Sequence, residues 1–368
     1  MLRQVAQEVS REVHLVGGIN GEDAESVFRL AAATLGERLC RMPDGETGAA
    51  RQQWIQCQRP FFMQHPQFEM LEDDPDRPGE YRQPRVPSHG IYARTEAEMY
   101  NGRARLREGV RPDDIFFENI GYADWAIESY RLLKRLKDAG EVPSSWRFQV
   151  SLPSPRIPLT ARMVFPEQRD LIEPAYRDGF RREIERMAEA IPMDELAIQW
   201  DCTHPLEVES TQTEEERNVL LDYMAKLGSY VPEGVELGYH LCYGDFEHRH
   251  AWDPTDLGTC VTITNALAAA IQRPLDWVHM PVPRGRDDVA YFEPLRNLSV
   301  SGQTTIVLGL VHFTDGIEGT RRRIAAASSV RADFAIATEC GMGRRPQNTI
   351  DRLLEIHAEA ANLAEAGA

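Results

Sequence analysis

The sequence predicts an α/β fold, a (β/α)8 TIM barrel with a long insertion in its N-terminal half, and three observations carry that expectation. Short apolar runs alternate with amphipathic helical segments six times in the second half of the chain. Those runs are nearly continuously apolar, as strands buried on both faces of a parallel sheet are. The N-terminal part adds two more strand–helix units, which brings the total to the eight that close such a barrel. A doubly wound open sheet is the alternative, but no Gly-rich phosphate loop follows the first strand.

In chain order, HLVGG is the first strand and EDAESVFRLAAATLGERL its helix; LCRMPDGE is the second strand. Residues 59–116 are rich in Pro, Asp, Gln and Arg and fit no minimal barrel. A long irregular insertion of that kind is usually a functional loop or lid. FFENIGYADWAIESYRLLKRLKDAG then reads as a strand-like piece and a helix. The strands WRFQVSLP, ELAIQWD, VELGYHLCYG, LDWVHMPVP, TTIVLGLVH and DFAIATECG follow. Each precedes a segment with apolar residues at i, i+3 and i+4, from EPAYRDGFRREIERMAEAI to QNTIDRLLEIHAEAANLA. One barrel domain spanning residues 1–368, with 59–116 as an insertion or lid, is the expected organisation.

Composition narrows the function. The 368 residues are 42% apolar, enough for a large core, and carry a net charge of −17. Without a basic cluster the chain is not expected to bind nucleic acid, because phosphate neutralisation needs Lys and Arg. The longest apolar runs, such as TTIVLGLVHF, fall short of the ~20 residues that span a bilayer. MLRQVAQEVSREV is charged throughout and lacks the apolar centre of a signal peptide. A cytoplasmic location is therefore expected, with the six cysteines as buried thiols or ligands rather than disulfides.

In a barrel of this class the functional residues gather at the C-terminal ends of the strands. Here those ends carry Asp44 and Glu46, Ser151 and Ser154, Asp201, His240 and Cys242, His279, His312, and Glu339 and Cys340. In GYHLCYGDF, His240 and Cys242 are two apart, so on a strand they share a face. Cys340, from another strand end, is the natural third partner. Two thiolates with one or two imidazoles make a soft tetrahedral set suited to Zn2+. The bland alternative is a buried thiol beside a hydrogen-bonded histidine. Cys202 and His204 also come within range of the barrel mouth, whereas His248 and His250 lie in a charged loop.

These motifs resemble the catalytic C-terminal barrel of the cobalamin-independent methionine synthase family, within the uroporphyrinogen decarboxylase/methionine synthase-like superfamily. GYHLCYGDF resembles its zinc-binding strand, ATECGMGRR its second cysteine motif, IQWD a strand ending in a functional Asp, and HLVGG its opening strand. The likeness runs over residues 12–365, with specific motifs confined to about the last 170. The resemblance implies zinc held by His240, Cys242 and Cys340. The family adds an acidic ligand from the intervening strand, and LDWVHMPVPRGR has none at its end. His279 stands in that place; it could ligate, contact substrate, or leave the position to water.

The implied reaction moves a methyl or alkyl group to a zinc-activated thiol, with a donor such as a folate. Asp201, Glu46 and His312 are the candidate catalytic groups. Asp44, Ser151, Arg284 and Glu339 are the candidate substrate contacts, Arg284 because guanidinium pairs with carboxylate or phosphonate. The alternatives are a zinc-dependent lyase or hydrolase that activates water or a carbonyl, and a metal-free barrel of the decarboxylase type. Small-molecule partners are expected, no membrane is, and a homo-oligomer stays open.

Overall fold

The computed structural model describes residues 11–45, 55–73, 81–82, 102–203, 213–244 and 254–363. Its centre is a curled, seven-stranded, wholly parallel sheet. In sheet order the strands are β1 (Arg41–Pro43), β5 (Arg147–Pro153), β6 (Leu196–Cys202), β7 (Glu236–Leu241), β8 (Trp277–Pro281), β9 (Thr305–Val311) and β10 (Ala335–Thr338). Strands that neighbour in sequence neighbour in space, as crossover connections through helices produce. The arrangement is TIM-like.

The opening segment HLVGG forms no regular strand among the described residues. Val13 instead makes single parallel bridges to Leu39 and Ile336, at the two ends of the sheet. Its N–H donates to the Arg38 carbonyl (2.8 Å), and that of His14 donates to the Ile336 carbonyl (2.9 Å).

Seven longer helices accompany the strands: α1 (Ala24–Thr34), α2 (Tyr122–Asp138), α3 (Arg169–Ala190), α4 (Glu214–Gly228), α5 (Gly258–Ala270), α6 (Gly316–Ser328) and α7 (Ile350–Ala361). Two start where the sequence places a cap. The Asp23 carboxylate accepts from the Ser26 N–H at the head of α1, and Thr213 and Glu216 cap each other's backbone at α4. Satisfying these otherwise unpaired N–H groups is worth about 1 kcal/mol per helix.

Strand alternation sorts the core into two layers. Ile198 and Trp200 of β6 point outward to the helices, where the Trp200 indole N–H donates to the Leu227 carbonyl of α4 (3.1 Å). Val16, Ala197, Trp277, Val307, Ala335 and Ala337 form a separate inner cluster enclosed by the sheet. Gly238 makes room for it, since a Cβ there would lie 1.9 Å from the Trp277 ring. Gly309 lets β8, β9 and the end of β10 converge; a Cβ would lie 2.8 Å from the Glu339 Cα.

The described part of the insertion contains a short helix (Arg59–Gln64) and an antiparallel sheet of β2 (Phe68–Asp73), β3 (Tyr81–Arg82) and β4 (Arg103–Leu106). It is anchored by aromatic packing: Phe62, Phe68, Phe117 and Tyr176 meet at ring distances of 5.2–5.6 Å. The Tyr176 hydroxyl of α3 donates to Gln58 (2.7 Å). The strand-like FFENI is irregular. Phe117 enters the aromatic cluster, whereas Phe116 is exposed and lies under the Arg182 guanidinium. No helix among the described residues is long and apolar enough to cross a membrane.

Candidate metal centre

The site begins with strand register. Asp201, His240 and His279 are direct partners across β6, β7 and β8. Residues in register on parallel strands face the same way, and this face is the enclosed one. Gln199, two residues before Asp201, shares that face and reaches across to the Val16 carbonyl on the opposite wall. Cys242 continues the row one residue beyond β7, its N–H bonded to the Cys202 carbonyl (3.0 Å). Cys340 comes in from just beyond β10.

These placements bring His240, Cys242 and Cys340 together. One ligand atom from each lies within 4.8 Å of the other two, with His240 and Cys242 buried and Cys340 partly so. Nε2 of His240 is buried and has no hydrogen-bond partner among the described residues. A buried acceptor without a donor is costly, about 1–3 kcal/mol, unless something binds it. One imidazole and two thiols around such an atom are the donor set of a zinc site. By chemistry and spacing, these residues fit the ion.

His279 touches this trio without joining it. Its Nδ1 lies 2.7 Å from His240 Nδ1, and its Nε2 lies 3.0 Å from the Thr338 carbonyl oxygen. Both of its ring nitrogens are thereby engaged. Burial pushes His279 down to about 3. Burial, reinforced by His279 and His14, holds His240 well below the imidazole range. Both rings are neutral at pH 7, the form a metal-binding imidazole requires.

The other expected residues occupy four places. Asp201 shares Gln199 with Ser151: the Gln199 amide donates to Asp201 Oδ1 (2.8 Å) and to Ser151 Oγ (3.2 Å), and Ser151 donates to the Val16 carbonyl (3.1 Å). Desolvation pushes the Asp201 carboxyl well above its ordinary range, against the Gln199 hydrogen bond.

His312 and Glu339 form the second place, 3.7 Å apart. His312 donates through Nε2 to the Val282 carbonyl (2.9 Å), and burial pushes it down to about 4. The contact is therefore a neutral imidazole beside an acidic group, not an ion pair. Arg345 approaches the same Glu339 oxygen at 3.6 Å.

Arg284, in the third place, is at an exposed rim and donates to Thr314 (2.9 Å). Asp44 follows β1, buried, its N–H bonded to the Gln149 carbonyl (2.8 Å). Glu46, His204, His248 and His250 lie outside the described residues.

Sequence reasoning passed over His14, Gln199 and Thr338. Gln199 accepts from the Trp277 indole (3.2 Å) and pairs with His14 Nε2 (3.1 Å), so it organises the inner face. The period-two relation of Gln199 to Asp201 in IQWD was a usable signal. Nothing in the sequence singles out a backbone carbonyl such as that of Thr338.

Comparison with known proteins gives the fold. No family model matches this chain, and no curated protein does. Two solved structures align over nearly all of it. The "putative vitamin-B12 independent methionine synthase" of Listeria monocytogenes matches at 13% identity and a TM-score of 0.55, over 97% of this chain and 98% of that one. A B12-independent methionine synthase from Shewanella sp. W3-18-1, solved with selenomethionine, matches at 13% identity and a TM-score of 0.52 over 96% and 95%. The chain shares their overall fold.

Proposed function

We propose that this protein is a zinc-dependent transferase that moves a methyl or alkyl group to a thiol. The observation that carries the reading is the His240–Cys242–Cys340 trio, with a buried imidazole nitrogen that has no hydrogen-bond partner among the described residues. The methionine synthase names of the two structural neighbours agree with it. In this reading Glu12–Val16 supplies the eighth stave, and one (β/α)8 domain in the cytoplasm spans the chain, with residues 59–116 as a lid.

Cys242 and Cys340, as thiolates, would balance the divalent charge of the ion, and His240 would add a neutral donor. Zinc so held would lower the pKa of a coordinated substrate thiol, making it a nucleophile near pH 7. The remaining work falls to the chain. Asp201, whose carboxyl desolvation pushes toward the protonated form, would supply a proton to the leaving group. His312 offers its Nδ1 lone pair beside Glu339. Ser151, Asp44, Glu46, Glu339 and Arg284 would orient the polar parts of thiol and donor. The enclosing sheet keeps competing water out.

The test is metal content. Purified protein should hold about one zinc per chain, and Cys242→Ser and Cys340→Ser should each strip it. Full zinc retention in both variants would refute the ligand assignment. Zinc-edge absorption with added homocysteine should then show an extra sulfur neighbour; an unchanged spectrum favours activation of water or a carbonyl instead.

A further inference from the structure

We propose that His279 is a positioning residue that fixes the ring tautomer of His240, rather than a fourth metal ligand. The inference rests on the zinc reading for its consequence, but its geometry stands without it. The Thr338 carbonyl oxygen can only accept, so the nitrogen 3.0 Å from it, His279 Nε2, carries a hydrogen. In a neutral ring that leaves His279 Nδ1 with a lone pair. This atom lies 2.7 Å from His240 Nδ1. Two lone pairs cannot share that contact, so His240 Nδ1 carries the hydrogen and donates it. His240 Nε2 is then the lone-pair nitrogen, and it is the buried atom left without a partner among the described residues.

The opposite assignment fails on cost. Were His279 doubly protonated and donating through both nitrogens, His240 Nδ1 would accept and its Nε2 would bear a hydrogen. That hydrogen would be buried with no acceptor among the described residues, beside a buried cation. The hydrogens are therefore donated one way, from His240 through His279 to the Thr338 carbonyl. The relay links β7, β8 and β10 and ends two residues before Cys340. A strand position needed for a fourth protein ligand is used to aim the third, because His279 could turn to the metal only by breaking both of its hydrogen bonds. Among the described residues, a tetrahedral ion held by the trio keeps one position for a ligand from outside the chain.

The experiment has two arms. In metal-stripped wild-type protein, long-range 15N–1H NMR of labelled histidine should show His240 protonated on Nδ1 and bare on Nε2. A His240 protonated on Nε2 overturns the proposal. In the second arm, His279→Leu should weaken metal binding about 10–100-fold in chelator competition, the usual cost of losing an outer partner of a ligating histidine. His279→Gln, whose amide can both accept and donate, should restore most of it. The cobalt-substituted protein should keep one ligand-field spectrum through both changes. A cobalt spectrum that loses a nitrogen donor in both variants makes His279 a ligand and sinks the idea. Absence of metal binding in the wild type would sink the zinc reading alone, since the tautomer is read on metal-free protein.

Discussion

At the scale of single residues, the proposed chemistry depends on side chains whose environments shift their protonation. Asp201 is desolvated, with the Gln199 amide as a donor among the described residues, and its carboxyl is pushed well above the ordinary range. Asp201→Asn should keep bound zinc but lower thiol methylation or alkylation by about 10²–10⁴-fold, measured as turnover of metal-loaded protein. Undiminished turnover would remove Asp201 from the mechanism. The pairing of His240 with Cys242 was legible in the sequence because two-residue spacing fixes a common face. The arrival of Cys340 was legible only as a strand-end position. The part taken by His279 was not legible, because it depends on a carbonyl oxygen 59 residues away.

At the scale of elements, two contacts make stability predictions. Gly238 exists for Trp277, whose ring occupies the space a side chain would need. Gly238→Ala should destabilise the fold by about 1–3 kcal/mol through overpacking. Combining it with Trp277→Leu should recover part of that loss, as urea unfolding of the double-mutant set would show. Glu183 of α3 accepts from the Ile120 and Ala123 N–H groups (3.2 and 2.6 Å), so a side chain from one helix satisfies the open N-terminus of α2. Burial raises its pKa in the folded protein, against those two N–H bonds and Arg186. A raised folded pKa means a contribution present in full below the unfolded value and lost as pH climbs through the folded one. Glu183→Gln should therefore remove one contribution that shrinks as pH rises above about 4.5, so the variant should gain more stability with rising pH than the parent does. An unaltered slope would show that Glu183 does not titrate there. FFENI illustrates the opposite lesson: its apolar pair looked strand-like, but Phe117 was needed in an aromatic cluster that spans 62–176.

At the scale of the whole molecule, five buried histidines among the described residues share one tendency. Burial holds His14, His240, His279, His312 and His357 below the ordinary imidazole range. An unfolded chain takes up protons on these rings as pH falls through about 6.5, before the folded chain can. Stability should accordingly be highest above that pH and decline toward pH 4, read as the urea midpoint in metal-free protein. His357 isolates the effect away from the metal centre. It donates to the Leu353 carbonyl within α7 (2.7 Å) and is pushed down to about 4. Replacing it with Gln should lessen the loss between pH 6.5 and 4, by at most on the order of 3 kcal/mol. An identical pH profile in the variant would place the acid sensitivity elsewhere.

The sequence by itself determined the parallel α/β class, the order of strands and helices, and which residues stand at strand ends. Apolar periodicity and period-two alternation are local, and they survive being read in one dimension. Only the tertiary structure decided which of those strand-end residues meet. Curling the sheet converts separations of up to 100 residues, such as His240 to Cys340, into a few ångströms. It also decided that His279 spends both ring nitrogens on its neighbours. A hydrogen-bond direction is set by the partner's chemistry, and a backbone carbonyl leaves no mark in the sequence.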